Sequence, residues 1–204
     1  MKKIPNKFIL IEGIDGSGKD TFTDFLIDEL KLLYTKTNES SISKVGQPFS
    51  ELSFGEEAKK FVEDFIYYSE SEQIEHILKQ NRLSCEKYYE KFPGIIICVR
   101  GLLTDLATLK RLFPQKSHFD IHGNKKIDSL IIIDVESEIA DQRIEQRGIA
   151  RTWREKIAEL MYFRDFYLNY HDDSISDKKI ITALNKEHLR EMASSIAFEI
   201  YQNA

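Results

Sequence analysis

Cysteine is scarce in this chain: Cys85 and Cys98 are the only two among 204 residues. Cys98 lies inside the apolar run Gly94–Val99, where a thiol behaves as a small core residue. Two such cysteines exclude a disulfide-stapled secreted scaffold and fit a reducing compartment. Long apolar runs are also missing. The N-terminus, Met1–Lys7, is basic, but the run after it, Phe8–Ile11, is too short for the hydrophobic region of a signal peptide. No other run approaches the roughly 20 residues needed to span a bilayer. A cytoplasmic protein without membrane contact is therefore expected. Excess positive charge is absent as well, since the net charge of −5 argues against binding nucleic acid by bulk electrostatics. A local basic site remains compatible with it. Only four prolines and nine glycines occur, and neither repeats nor low-complexity tracts interrupt the chain. With 42% hydrophobic and 31% charged residues, this length fits one globular domain, 1–204.

The few glycines present are concentrated where they carry chemistry. Phe-Ile-Leu-Ile-Glu-Gly-Ile-Asp-Gly-Ser-Gly-Lys-Asp-Thr, residues 8–21, places a glycine-rich loop directly behind an apolar strand and ahead of a helical pattern. Gly13, Gly16 and Gly18 let successive backbone N–H groups face inward around phosphate oxygens, with Asp15 and Ser17 between them. Lys19 reaches the β- and γ-phosphates. A P-loop has Ser or Thr at the next position to hold Mg²⁺; here that residue is Asp20, and the hydroxyl follows one place later as Thr21.

The remaining pattern supplies the scaffold. Continuous apolar runs at Phe8–Ile11, Gly94–Val99, Leu130–Val135 and Lys179–Ala183, with a fifth at Ile42–Val45, read as strands covered on both faces. Helical periodicity occupies 21–33, 55–68, 71–92, 105–112, 137–146, 154–170 and 186–201. The alternation predicts an α/β domain, a three-layer P-loop fold with a parallel, five-stranded sheet. Ligands in such folds sit outside the carboxyl ends of the strands, where Asp15, Gln47, Arg100 and Asp134 fall. The polar segment Pro114–Lys126 reads as a surface loop. His118 and His122, four apart within it, lack a convincing third ligand and read as solvated side chains. The aromatic series Tyr162, Phe163, Phe166, Tyr167 and Tyr170 reads as a packed helix face, in the core or at a subunit interface.

Phosphoryl transfer needs aligned phosphates, a bridging metal and cations on the migrating charge. The cations are candidates in Arg143, Arg147, Arg151 and Arg154, clustered in a lid of about residues 143–155 with Gly148 as its bend. Arg100 ends a strand at the ligand rim, and its planar fork suits phosphate. Arg82 lies in a long helix; spacing alone allows either an exposed surface charge or a site residue.

These motifs resemble the thymidylate kinase family of nucleoside monophosphate kinases. Residues 12–19 resemble its P-loop, 46–48 its Arg-Glu-Pro segment, 97–101 its Asp-Arg-Tyr motif, and 133–148 its strand, helix and lid; Arg164 and Tyr167 match the helix beyond. The resemblance implies ATP as donor, Mg²⁺ as metal, a phosphorylated small-molecule acceptor and a homodimer. It implies Lys19, Arg100, Arg147 and Arg151 as catalytic residues. Asp15, Arg82 and Arg100 would bind the acceptor, and Asp20 with Thr21 the metal. Gly16, where some members carry arginine, resembles the arrangement in which the lid supplies the catalytic cation.

Several family positions differ. The base-stacking aromatic is Leu78, the Arg-Glu of Arg-Glu-Pro is Gly46-Gln47, the Asp and Tyr of Asp-Arg-Tyr are Val99 and Gly101, and a later aromatic is Thr108. The phosphate-handling residues are better kept than those handling the base. One carboxylate is lost at Val99 and one gained at Asp20, which suggests that Asp20 takes over metal binding. A kinase for another acceptor, such as a deoxynucleoside, is the alternative enzyme. A nucleotide-binding protein of kinase fold with little turnover is the alternative outside catalysis.

Overall fold

A computed structural model describes residues 4–34, 41–45, 71–90, 92–121, 126–173, 175 and 177–203. Gly46–Pro48, the helix expected at 55–68, His122 and the side chain of Cys85 lie outside the described residues. Five strands form one parallel sheet: β1 Lys7–Glu12, β2 Ile42–Val45, β3 Ile95–Val99, β4 Ser129–Asp134 and β5 Lys178–Thr182, ordered β2-β3-β1-β4-β5. The central strands β1, β3 and β4 are buried almost throughout, as continuous Ile/Leu/Val runs require when helices cover both faces.

Six α-helices are described: α1 Lys19–Leu33, α2 Ser71–Tyr89, α3 Leu102–Leu112, α4 Ser137–Gln146, α5 Ile157–Asn169 and α6 Lys186–Gln202. A 3₁₀ turn, Trp153–Glu155, separates α4 from α5 within the lid. Helix α1 packs on α6, while α5 packs on both α3 and α4. Phe22, Leu26 and Leu30 bury the inner stripe of α1 completely; Ala193 and Ala197 do so for α6.

The switch in strand order positions the site. Chain leaving β1 enters the P-loop, and β3 and β4 flank β1 on its two sides, so residues 12–20, 99–105 and 134–140 converge at one rim. The loop expected at 114–126 is not simply solvated. Phe119 and Ile121 are buried, and Asp120 N–H donates to Glu75 Oε2 at 2.9 Å, tying the loop to α2. The Phe-Asp-Ile alternation was the signal for this inward packing. His118 is exposed, in keeping with the solvated reading.

Candidate active site

The P-loop is shaped by glycines at positions where a side chain would collide. Gly16 has φ +79°, and a Cβ on it would stand 2.6 Å from the Ala140 carbonyl oxygen of α4. Gly13 would place its Cβ 2.6 Å from the Ile133 carbonyl oxygen. The loop is thus pressed between β4, α4 and its own helix, with a turn closed by Ser17 N–H to the Ile14 carbonyl at 3.1 Å. Ser17 Oγ is buried without a hydrogen-bond partner, a polar atom left available inside the cradle.

Lys19, 4% exposed, begins α1 and folds back over the loop. Its Nζ donates to the Ile14 carbonyl at 3.2 Å and lies 3.5 Å from Asp15 Oδ1. Burial pushes its ammonium down to about 8, against the opposing pull of the Asp20 and Glu12 carboxylates; Arg154 and Arg147 add to the depression. Asp20 is exposed and Thr21 half-buried on the first turn of α1. No cluster of three His, Cys, Asp or Glu side chains suited to a metal occurs among the described residues. An exposed carboxylate beside a hydroxyl nevertheless fits Mg²⁺, which takes one or two protein oxygens and completes its octahedron with phosphate and water.

Arg100 occupies the end of β3 in a left-handed conformation, φ +65°, unusual for a residue with a side chain. Its N–H continues the β1–β3 ladder to the Ile11 carbonyl at 2.9 Å, so the backbone turns with the ladder intact. This turn aims the guanidinium across the rim to Asp15, with which it forms an ion pair. Burial lowers the Arg100 pKa from the usual arginine range, yet the group stays charged.

Arg82 is not a surface charge. Its Nη2 donates to Asp105 Oδ2 at 2.5 Å and its Nε to the Ile121 carbonyl at 3.1 Å; both members of the ion pair are largely buried. A Cβ on Gly101 would stand 3.0 Å from Leu10 Cδ1, so the chain passes close to β1 as it leaves β3. Burial raises the Asp105 pKa, and Arg82 opposes it.

Beneath these groups lies a buried polar chain with no counterpart in the sequence reading. Glu12, fully buried, accepts from Thr104 Oγ1 at 2.7 Å and from Thr104 N–H at 3.3 Å; Thr104 Oγ1 lies 3.0 Å from the Tyr167 hydroxyl. Burial raises the Glu12 pKa, with the Thr104 bonds pulling it back. Tyr167, expected as part of a packed helix face, is indeed 2% exposed, and its hydroxyl joins this network. Burial raises its pKa too. Leu78 and Thr108, where the family resemblance placed aromatics, are both buried.

The four lid arginines have different commitments. Arg143 Nη1 donates to the Gly16 carbonyl at 3.1 Å, joining α4 to the P-loop. Arg147 pairs with Glu155 and Arg151 with Asp141, so both arginines named from the sequence as catalytic are held by carboxylates of the chain itself. Arg154, in the 3₁₀ turn, has its guanidinium 6.0 Å from the Trp153 ring centroid, and its charge is felt at Lys19, Arg100 and Asp105. Arg164 forks onto Asp134 at 2.7 and 3.1 Å and also pairs with Glu136, fixing α5 to the end of β4.

Comparison with known proteins agrees with this geometry. The thymidylate kinase family model matches residues 11–196. A probable thymidylate kinase of Pyrobaculum aerophilum is 30% identical over 79% of this chain and 81% of its own. The thymidylate kinase of Mycoplasmopsis agalactiae is 26% identical over 96% and 95%. Among solved structures, a deoxyadenosine kinase from M. mycoides with bound dATP superposes with a TM-score of 0.61 at 17% identity, covering 93% of this chain and 98% of that one. A thymidylate kinase from Ehrlichia chaffeensis gives 0.58 at 17% identity, over 94% and 98%. At such identities these two structures speak to the fold alone.

Proposed function

Because this chain belongs to the thymidylate kinase family, we propose that it transfers the γ-phosphoryl group of ATP to a nucleoside monophosphate other than, or in addition to, thymidylate. The observation that carries this reading is the convergence of Lys19, Arg100 and Asp15 at the P-loop rim, with the Arg82–Asp105 pair beside them.

In this reading Gly13, Gly16, Ser17 and Gly18 hold the donor phosphates through their backbone, and Lys19 releases Asp15 to neutralise phosphate oxygens. Arg100 takes the acceptor phosphate, and Asp15, freed from both cations, faces the acceptor sugar. Arg82 carries a charge already balanced by Asp105. The pair therefore offers a donor and an acceptor side by side, which suits the edge of a base next to the phosphate held by Arg100. The lid segment bearing Arg147, Arg151 and Arg154 supplies the remaining positive charge and excludes water. The acceptor's phosphate oxygen is the nucleophile, so no protein base is needed. Asp20 and Thr21 would hold Mg²⁺, which would offset the charge of the donor phosphates. A cytoplasmic homodimer working in nucleotide synthesis is the setting that the family resemblance suggests. No described helix is long and apolar enough to cross a membrane.

A deoxynucleoside acceptor is the second reading, favoured by the buried Arg82–Asp105 pair together with the aromatic-poor positions Leu78 and Thr108. An acceptor panel separates the two. ADP release from ATP and Mg²⁺ with each common nucleoside and monophosphate should show turnover with a monophosphate. Turnover with nucleosides alone would support the second reading.

A further inference from the structure

Between α3 and β4 the chain crosses to α2 and lies along one side of it. Glu72, Glu75, Lys79 and Arg82 recur every three or four residues, so they form a single stripe on α2. Residues 116–121 meet that stripe at each of these positions. Lys116 Nζ reaches Glu72 Oε1 at 3.0 Å and pairs with Glu75 Oε1. Asp120 N–H donates to Glu75 Oε2 at 2.9 Å, and the Asp120 carboxylate takes Lys79 Nζ at 2.5 Å. Last in the series, the Ile121 carbonyl accepts Arg82 Nε at 3.1 Å. Phe119 and Ile121 are buried, which holds the segment to the body of the domain.

These contacts are unequal. The Lys79 and Glu72 pairs are largely exposed and contribute little. Glu75 is buried, and its two oxygens hold a backbone N–H and a cation of the same segment. Removing that carboxylate leaves the Asp120 N–H without its acceptor.

Arg82 is the residue on which the segment acts. The Ile121 carbonyl holds its Nε and Asp105 of α3 holds its Nη2, so two of the three nitrogens of the planar guanidinium are fixed by two different parts of the chain. The third, Nη1, has no hydrogen-bond partner among the described residues. It lies 3.8 Å from where a Cβ on Gly101 would stand, against the turn that joins Arg100 to α3.

We propose that Glu75 is a positioning residue for the acceptor. It anchors residues 116–121 to α2, and through the Ile121 carbonyl this sets the plane of Arg82 so that Nη1 is presented beside Arg100 to the edge of the acceptor base. The inference rests on the reading of Arg82 and Arg100 as acceptor ligands given above.

Glu75→Ala should lower acceptor kcat/KM about tenfold and change the KM for ATP less than about twofold, as for a donor displaced from the acceptor alone. Glu75→Gln keeps an oxygen for the Asp120 N–H and should stay within about threefold of the unmodified protein. Arg82→Ala/Glu75→Ala should be no slower with the acceptor than Arg82→Ala, because Glu75 acts through Arg82. The protein without substrates gives a readout independent of turnover. The Arg82 Nε–H resonance, assigned by its loss in Arg82→Lys, should exchange slowly with solvent in proton–nitrogen spectra. Glu75→Ala should speed that exchange about tenfold or more, and Glu75→Gln should not. If Glu75→Ala does not fold, Lys116→Met removes the other partner of Glu75 and should shift acceptor kcat/KM and exchange in the same directions, by about threefold. Losses that fall equally on ATP and acceptor, losses that multiply in the double variant, or unchanged Arg82 exchange would overturn the proposal. Absence of turnover with every acceptor defeats the kinase reading; unchanged exchange in an active enzyme defeats only the positioning role.

Discussion

The depressed pKa of Lys19 makes nucleotide binding a proton-uptake reaction at alkaline pH. Burial holds the free ammonium at about 8 against an ordinary value of 10.5. Donor phosphates place several negative charges beside it and return it toward the usual lysine range. With a free value of about 8, roughly nine-tenths of the lysine is protonated at pH 7 and one-tenth at pH 9, so affinity for MgATP should fall about tenfold, or 1.4 kcal/mol, between those pH values. The protein without nucleotide behaves oppositely. Between about 8 and 10.5 the unfolded chain binds more protons at this lysine than the folded one, so its contribution to stability rises with pH across that window. Calorimetric titration with MgATP at pH 7, 8 and 9, in two buffers of different ionisation heat, measures both affinity and protons taken up. Uptake should grow from about 0.1 to about 0.9 proton per site over that range. Lys19→Arg should remove the buffer dependence, because a guanidinium does not titrate there. Equal affinity at pH 7 and 9 with no buffer-dependent heat would refute the placement of a buried, charged Lys19 against phosphate.

Other parts of the site give sharper structural tests. Gly16→Ala forces a left-handed conformation and a 2.6 Å approach to the Ala140 carbonyl; it should cost at least about 1–2 kcal/mol in chemical denaturation and abolish nucleotide binding. Thr104→Val removes the hydroxyl between Glu12 and Tyr167, leaving buried acceptors underpaired, and should cost about 1–3 kcal/mol in the same assay. Arg82→Ala strands the buried Asp105 carboxylate and should cut acceptor kcat/KM by about 100-fold or more with little effect on the KM for ATP; unchanged acceptor use would remove Arg82 from the site. Asp20→Ser should flatten the Mg²⁺ dependence of nucleotide binding, measured as Kd across a magnesium titration, and an unaltered dependence would place the metal elsewhere.

Much of the scaffold was legible because its signals are local. The apolar runs gave all five strands to within a residue or two, and the helix at 137–146 was read with its observed bounds. The P-loop spacing likewise located Lys19, whose burial and contacts follow from the strand before it and the helix after it. Strand order was not legible, since periodicity carries no information on which buried strands are neighbours. The polar network was hidden for a similar reason. Glu12 reads as a rim residue of the loop, and only the β1–β3–α3 packing brings Thr104, 92 positions away, within 2.7 Å of it. In the lid, composition identified a cluster of arginines but could not rank them. Whether a guanidinium is neutralised depends on Glu155 and Asp141, which meet Arg147 and Arg151 only through the folding of the lid.

ADP release driven by individual nucleoside monophosphates, with ATP and Mg²⁺, tests the central claim most directly. The account predicts turnover with at least one monophosphate, lost in both Lys19→Ala and Arg100→Ala. ATP binding without release of ADP in the presence of any monophosphate would contradict it.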